Sequence, residues 1–124
     1  MKAKLLLALV VCGCLFTVST VGQGNKKIRA SEAGQHIGEH AMVCANVASS
    51  RYLSNSRSRP TFLNLGRPYP DQDLTVVIWP EDRPQFGHPE DTYLGKNICV
   101  RGEISSYRGR PQMVARYPSQ IHEE

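Results

Sequence analysis

The sequence predicts an all-β domain, and three observations support this prediction. Short runs alternate between apolar and polar residues with a period of two, as in residues 41–47, where Val43, Ala45 and Val47 share one face. Glycine and proline separate these runs from one another. Once an N-terminal leader is removed, roughly 100 residues remain, which suits one domain with one modest core.

Residues 1–22 have the pattern of a signal peptide. A basic start over residues 1–4 precedes an apolar run over residues 5–18, which is short for a membrane span, and a small and polar stretch follows. We therefore expect cleavage near residues 22–24 and export, so that the mature protein is periplasmic or secreted. An alternative treats residues 11–14 as a lipobox, in which Cys14 carries a lipid and anchors the domain to a membrane.

The mature chain is predicted to start with a flexible segment, residues 23–30, and a short helix. Ser31 caps this helix, which runs over residues 32–37, and Gly38 ends it in a left-handed conformation. Five strands follow, over residues 41–47, 61–65, 74–79, 97–104 and 112–116. The last strand is the second arm of a hairpin, because the tight turn Arg108-Gly109-Arg110 lies just before it.

Two cysteines remain in the mature chain, and both lie on strand faces opposite the core. In an oxidising compartment we expect a disulfide between Cys44 and Cys99, with two buried free thiols as the alternative. Such a bond requires the first and fourth strands to be neighbours, because the Cα atoms must lie within about 7 Å. The five strands, this closure, and an insertion at residues 84–91 between the third and fourth strands describe a five-stranded OB-fold Greek-key barrel over residues 31–122.

Positive charge is segregated along the chain. Removal of the leader takes away Lys2 and Lys4 and lowers the net charge from +4 to +2, and ten of the 13 remaining basic residues are arginine. Residues 40–70 contain four arginines and no acid, whereas residues 71–91 contain six acids and one arginine. This arrangement indicates an anion-binding surface, and a solvated surface with chance clustering is the alternative.

Two turns concentrate this charge: the first arginine loop, residues 54–60, and the second arginine loop, residues 107–111. In an OB barrel, such loops flank the face of the second and third strands where ligands bind. Arginines there would bind phosphates, and aromatic rings would stack on bases. The predicted binding residues are Arg57, Arg59, Phe62, Asn64, Arg67, Tyr69, Tyr107, Arg108, Arg110 and Arg116.

Strand parity predicts which residues of the second strand face the ligand. Phe62 and Asn64 have the opposite parity to Leu63 and Leu65, so we expect the first pair on the ligand face and the second pair in the core. Core packing is the alternative for Phe62. Trp79 is predicted to be a hydrophobic residue at a strand end rather than a stacking platform.

Catalytic patterns are weak in this chain. Residues 36–40 match H-x-x-E-H, which binds zinc when both histidines lie on one helix, but Gly38 and the following strand interrupt such a helix. Acid pairs at residues 71–73 and 81–82 are also the type of residue that holds a divalent cation for phosphodiester cleavage, although turn chemistry explains them more simply. A metal-dependent nuclease that relies on Asp73 is the remote alternative, and we predict no catalysis, no cofactor and no metal site.

Several stretches resemble a known family. Residues 37–44, 59–66, 69–70 and 95–111, which include Arg59-Pro60-Thr61-Phe62-Leu63-Asn64-Leu65-Gly66, resemble small exported bacterial OB-fold proteins of the nucleic-acid-binding, anticodon-binding-like type. The resemblance extends over most of residues 30–122. It implies oligonucleotide binding across the second and third strands, between the first and fourth loops.

The predicted function is therefore that of an exported, monomeric, non-catalytic binding module. Its expected partner is single-stranded nucleic acid or another polyanion, bound by arginines and by stacking. The alternative is a module that binds a protein, peptide or glycan of the cell envelope, with the acidic residues 71–91 making the contact. Salt separates these alternatives in part, because phosphate neutralisation makes affinity fall steeply with ionic strength.

Overall fold

Eight strands form the domain in this computed structural model, which describes residues 13–14 and 26–124. They are β1 (Lys27–Arg29), β2 (His40–Tyr52), β3 (Thr61–Leu65), β4 (Leu74–Ile78), β5 (Asn97–Glu103), β6 (Ser105–Tyr107), β7 (Arg110–Val114) and β8 (Ile121–Glu123). One α-helix, α1 (Pro89–Thr92), and 3₁₀-helices at Ala30–Gln35, Arg83–Gln85 and Pro118–Gln120 complete the regular structure of these residues. The predicted signal peptide lies outside them, apart from Gly13 and the exposed Cys14.

The strands make one mixed sheet in the order β6-β7-β4-β3-β2-β5-β8, and β1 pairs in parallel with β2. β2 has 13 residues and changes partner: residues 40–46 pair with β5, and the rest pair with β3, with a bulge between Val47 and Ser49. Because a bulge bends a strand, this change of partner curves the sheet. In the described part of the chain, no backbone ladder joins β5 to β7, so strand pairing does not close the sheet.

All five predicted strands are present, and the described residues contain three more, which makes eight. The additional strands β1, β6 and β8 have three residues each, which is too short for a period of two to be recognised. β1 lies within residues 23–30, which were predicted to be flexible. The predicted helix is a 3₁₀-helix whose N-cap is Arg29 rather than Ser31, and Gly38 has the expected positive φ of 90°.

β7 begins two residues earlier than predicted because the preceding turn is tighter. Tyr107 pairs with Arg110, which leaves Arg108 and Gly109 as the turn, with φ of 50° and 76°. Positive φ at both central positions is typical of the type I′ turn that matches strand twist. The second arginine loop is therefore the tip of a short hairpin.

Side-chain alternation places one face of each central strand in the core. Leu63 and Leu65 of β3 and Val76 of β4 are fully buried, and so are Ile98 and Val100 of β5. The predicted core positions of β3 and β5 are thus occupied as expected. The residues of opposite parity on β3 and β4 form a second face, on which the candidate site lies.

Cys44 and Cys99 form a disulfide, as predicted. The two residues are opposite each other in the β2–β5 ladder, with Cα atoms 4.1 Å apart. A disulfide is typical of an oxidising compartment, which agrees with the predicted export. Within the described residues, no helix is both long enough and apolar enough to span a membrane.

Gln120 bridges the seam between β5 and β7. Its amide nitrogen donates hydrogen bonds to the carbonyl oxygens of Arg101 and Val114, at 2.9 and 3.3 Å. Its amide oxygen accepts hydrogen bonds from the backbone N–H groups of Arg116 and Tyr117, at 2.7 and 3.0 Å. One side chain therefore satisfies backbone groups of the two strands that do not pair directly.

We expect Gln120→Ala to lower the free energy of unfolding by about 2 kcal/mol, because it leaves several backbone groups at the seam without partners. Gln85→Ala is the matched control, since the Gln85 side chain donates only to the Arg116 carbonyl oxygen, at 3.1 Å, and should cost about 1 kcal/mol or less. Urea unfolding followed by circular dichroism measures both values. Equal losses in the two variants would contradict the bridging role of Gln120.

Candidate functional site

An open groove of about 480 Å³ lies along the outer face of β3 and β4. Phe62 and Asn64 of β3 line its floor together with Thr75 and Val77 of β4. Residues of the other parity, such as Leu63, are buried in the core. Because successive side chains of a strand point to opposite faces, the core side of β3 determines which residues face the groove. Phe62 and Asn64 face it, as strand parity predicts.

Both arginine loops contribute to this groove. Ser56, Ser58 and Pro60 line it from the first loop, and Tyr107 and Arg108 line it from the second. The first loop precedes β3, which is antiparallel to β4, and the second precedes β7, which is parallel to β4. The two loops therefore lie near opposite ends of β4, with the groove between them.

Ser56 holds the first arginine loop in shape. Its hydroxyl donates a hydrogen bond to the Leu53 carbonyl oxygen, at 2.9 Å, and accepts one from the Arg59 backbone N–H, at 3.0 Å. Arg57 and Arg59 are both exposed, and neither guanidinium forms an ion pair with any residue that the structure describes. Both are therefore available to an anion at this end of the groove, although neither side chain is part of the groove lining.

Four aromatic side chains line the groove: Phe62, Tyr69, Trp79 and Tyr107. Tyr69 and Tyr107 are 70% and 58% exposed, while Phe62 and Trp79 are partly buried. Trp79 follows the end of β4, as predicted, but it also lines the groove, which the sequence analysis did not predict. Strand parity could have indicated this position, because Trp79 is two residues beyond Val77 and therefore lies on the same face.

Arg108 and Arg110 have different surroundings although they flank one glycine. The Arg108 guanidinium lies 5.3 Å from the centroid of the Tyr107 ring and has no acidic partner among the described residues. Arg110 donates hydrogen bonds to the backbone carbonyl oxygens of Pro70 and Gln72, the latter at 2.9 Å. Arg110 therefore fixes the β3–β4 loop to the hairpin, whereas Arg108 is available to a phosphate.

Arg67 and Arg116 were predicted to lie further along the groove, and neither lines it. Arg67 donates hydrogen bonds from two nitrogens to one carboxylate oxygen of Asp73, at 2.9 and 3.2 Å. Asp73, on which the nuclease alternative depends, is thus in an ion pair with the Arg67 guanidinium. Arg116 lies beside a different cavity, of about 410 Å³, at the β5–β7 seam with Gln120. The structure therefore corrects the placement of both arginines.

Arg83, which lies within the acidic residues 71–91, neutralises part of their negative charge. Arg83 forms hydrogen bonds with both carboxylate oxygens of Glu90, at 2.6 and 2.8 Å, and with the Thr61 hydroxyl, at 2.7 Å. Its guanidinium also lies 3.5 Å from the centroid of the Tyr52 ring. The hydrogen bonds from Arg83 hold the pKa of Glu90 below its ordinary value of 4.5, although burial acts in the opposite direction. This ion pair fastens the segment to β2 and β3.

The residues of the H-x-x-E-H pattern do not lie on one helix. His36 follows the 3₁₀-helix Ala30–Gln35, Gly38 has a positive φ, and His40 is the first residue of β2. The Nδ1 atom of His36 lies 2.6 Å from a carboxylate oxygen of Glu39. This arrangement differs from the single helix that a zinc motif of this type requires.

Two other groups of ligand-type side chains lie close together. Ligand atoms of His88, Glu90 and Asp91 are within 4.8 Å of one another, but Glu90 is already bound by Arg83. The second group consists of the disulfide and Glu124. Sulfur atoms in a disulfide are not thiolates and do not serve as metal ligands. Neither group therefore offers a full set of free ligands.

The fold and the groove define a small all-β domain with an open groove on one face of its sheet, between two arginine-bearing loops. No protein-family model matches the chain, and no curated protein matches its sequence. In structure, the chain is similar to a protein assigned as an aspartyl-tRNA synthetase from Leishmania major Friedlin, with a TM-score of 0.54 and 16% identity. The similarity covers 85% of this chain and 22% of that chain, so this domain corresponds to a minor part of the synthetase. At this identity, the similarity shows the fold alone.

Proposed function

We propose that this domain binds single-stranded nucleic acid in the groove on β3 and β4. The observation that carries this function is four aromatic rings along one groove with unpaired arginines on the loops at its ends. Aromatic rings stack on any base, and each stacked base contributes about 1–3 kcal/mol. Arginines bind the phosphates that alternate with those bases.

The strand connections support an OB-like module. β2, β3 and β4 are antiparallel neighbours, β5 returns beside β2, and β7 lies parallel to β4. An OB fold is a five-stranded, partly open Greek-key barrel that binds ligands on its second and third strands and on the loops around them. If β2, β3, β4, β5 and β7 are taken as those five strands, the groove coincides with that ligand face. Similarity to part of a tRNA synthetase agrees with nucleic acid as the ligand class.

Each part of the groove has a distinct role in this function. Arg57, Arg59 and Arg108 bind phosphates at the two ends, and Phe62 and Trp79 stack on bases between them. Tyr69 and Tyr107 extend the stacking surface at the rim. The module acts without catalysis and as a monomer, and the disulfide suits it to an oxidising compartment outside the cytoplasm.

We expect the double variant Arg57→Ala/Arg108→Ala to weaken binding of a labelled ten-nucleotide DNA by about tenfold or more at low salt. Each lost phosphate contact also lowers the slope of log affinity against log salt by about 0.7 for a single strand, so the double variant should lose about 1.4. Fluorescence anisotropy across a salt series measures both effects. Arg29→Ala/Arg101→Ala is the matched control, because it removes the same charge from exposed positions on β1 and β5.

Two results would overturn the proposed function. If both double variants weaken binding equally, attraction depends on net charge and not on the groove. If the protein does not bind single-stranded DNA or RNA at low salt, nucleic acid is not the ligand, and a glycan or protein of the cell envelope becomes the candidate partner.

A further inference from the structure

Two buried acceptors on the groove have no hydrogen-bond partner. Among the buried side-chain polar atoms of the described residues, only Asn64 Oδ1 and Gln72 Oε1 have none. Both residues line the groove, and Asn64 is only 3% exposed. A buried polar atom without a partner costs about 1–3 kcal/mol, so native structures seldom keep one without a reason.

The opposite end of each amide is held by the protein. Asn64 Nδ2 donates a hydrogen bond to Ser49 Oγ, at 3.0 Å, and the Tyr69 backbone N–H donates to the same oxygen, also at 3.0 Å. Gln72 Nε2 donates to Thr75 Oγ1, at 3.0 Å. In each amide, therefore, the nitrogen has a partner within the protein and the oxygen has none.

The two amides lie close to each other in the fold. Asn64 is paired with Thr75 in the β3–β4 register, and Thr75 accepts the hydrogen bond from Gln72. Arg110 fixes the backbone of Gln72 through its carbonyl oxygen, at 2.9 Å. Both amides are thus held in place by the protein, and both line the same groove as Phe62.

We propose, resting on the single-strand binding inferred above, that the groove reads the edge of a stacked base and prefers bases that carry an amino group. The amino groups of cytosine, adenine and guanine donate hydrogen bonds, which the Asn64 and Gln72 oxygens accept. Thymine and uracil present two carbonyl oxygens around one N–H, and those oxygens would face the amide oxygens. A polyanion without bases leaves both acceptors unpaired.

The test compares oligonucleotides of equal charge by fluorescence anisotropy with the purified protein. The probes are dC10, dT10 and a ten-residue abasic strand, because cytosine and thymine are both pyrimidines and the three strands carry the same phosphates. We expect dC10 to bind about tenfold more tightly than dT10, since one well-formed polar pair discriminates by about 1–3 kcal/mol. The abasic strand should bind most weakly.

The variants Asn64→Leu and Gln72→Met remove the acceptors one at a time and keep the approximate side-chain size. Each should reduce the preference for dC10 over dT10 to about threefold or less, because the acceptor that distinguishes the two bases is gone. Gln85→Met, whose side chain lies outside the groove lining, is the matched control and should keep the full preference. Thermal unfolding confirms that each variant is folded, and if one is not, the other still tests the acceptors.

The outcomes separate this inference from the function on which it rests. Equal affinity for dC10 and dT10, with weak binding of the abasic strand, would overturn base reading and leave single-strand binding in place. Equal affinity for all three strands and for heparin would overturn both, because only charge would be recognised. Binding of a neutral oligosaccharide without binding of any strand would also overturn both and assign the acceptors to sugar hydroxyls.

Discussion

Replacing Cys44 and Cys99 together with alanine is expected to lower the free energy of unfolding by about 4 kcal/mol. The disulfide joins residues 55 positions apart, and a cross-link that closes a loop of this length restricts the unfolded chain by about that amount. A domain of roughly 100 residues has a total stability of about 5–15 kcal/mol, so the loss is a large fraction of it. Urea unfolding of the oxidised wild type and of the double variant measures the difference.

The matched control for this experiment is Ser106→Ala, a small substitution at an exposed position of β6, which should change the free energy of unfolding by less than about 0.5 kcal/mol. Reduced wild-type protein should approach the stability of the double variant. If the double variant remained within 1 kcal/mol of the oxidised wild type, loop closure would not be a main source of stability in this domain.

Replacing Arg83 with methionine is expected to lower the free energy of unfolding by about 2–4 kcal/mol. The side chains of Arg83 and Glu90 are only 11% and 17% exposed, and removing one partner of a largely buried pair leaves the other charge uncompensated. Thr61 and Tyr52 also lose contacts with the guanidinium. The matched control is Lys96→Met, because Lys96 forms an exposed pair with Glu123 that should contribute less than about 1 kcal/mol.

The same ion pair makes stability depend on pH. The pKa of Glu90 is lower in the folded protein than its ordinary value of 4.5, because Arg83 binds the carboxylate. Its contribution is therefore fully present above about pH 4.5 and is lost as the pH falls through the folded-state pKa. We expect Glu90→Gln to flatten this part of the stability profile, whereas Glu123→Gln should not. An unchanged profile in Glu90→Gln would show that other carboxylates cause the acid loss.

The hairpin and the β3 strand illustrate what local sequence predicts well. Thr61–Leu65 has the predicted bounds, since it is a short run rich in strand-forming residues that is bounded by proline and glycine. The turn at Arg108 and Gly109 was expected from glycine chemistry. The disulfide was also predicted from local information. Strand parity placed both cysteines on faces opposite the core, and disulfides form in the oxidising compartment to which the predicted signal peptide directs the chain.

The open seam illustrates what local sequence does not predict. Strands of three residues, such as β1 and β8, form only because a longer neighbour supplies hydrogen-bonding groups. The bridge by Gln120 depends on carbonyl oxygens of two distant strands. No pattern near residue 120 contains that information, so the sequence predicts a five-stranded barrel and does not predict the unpaired seam between β5 and β7.

The division between sequence and tertiary structure is clearest in the groove. Strand parity was enough to place Phe62 and Asn64 on the face that carries the groove, because the side-chain period of a strand is a local property. The availability of each arginine was decided by partners that folding brings near. Arg110 is bound by backbone carbonyl oxygens and Arg67 by a carboxylate, whereas Arg108 keeps a free guanidinium. A guanidinium binds the nearest acceptor in space, and the fold alone determines which acceptor that is.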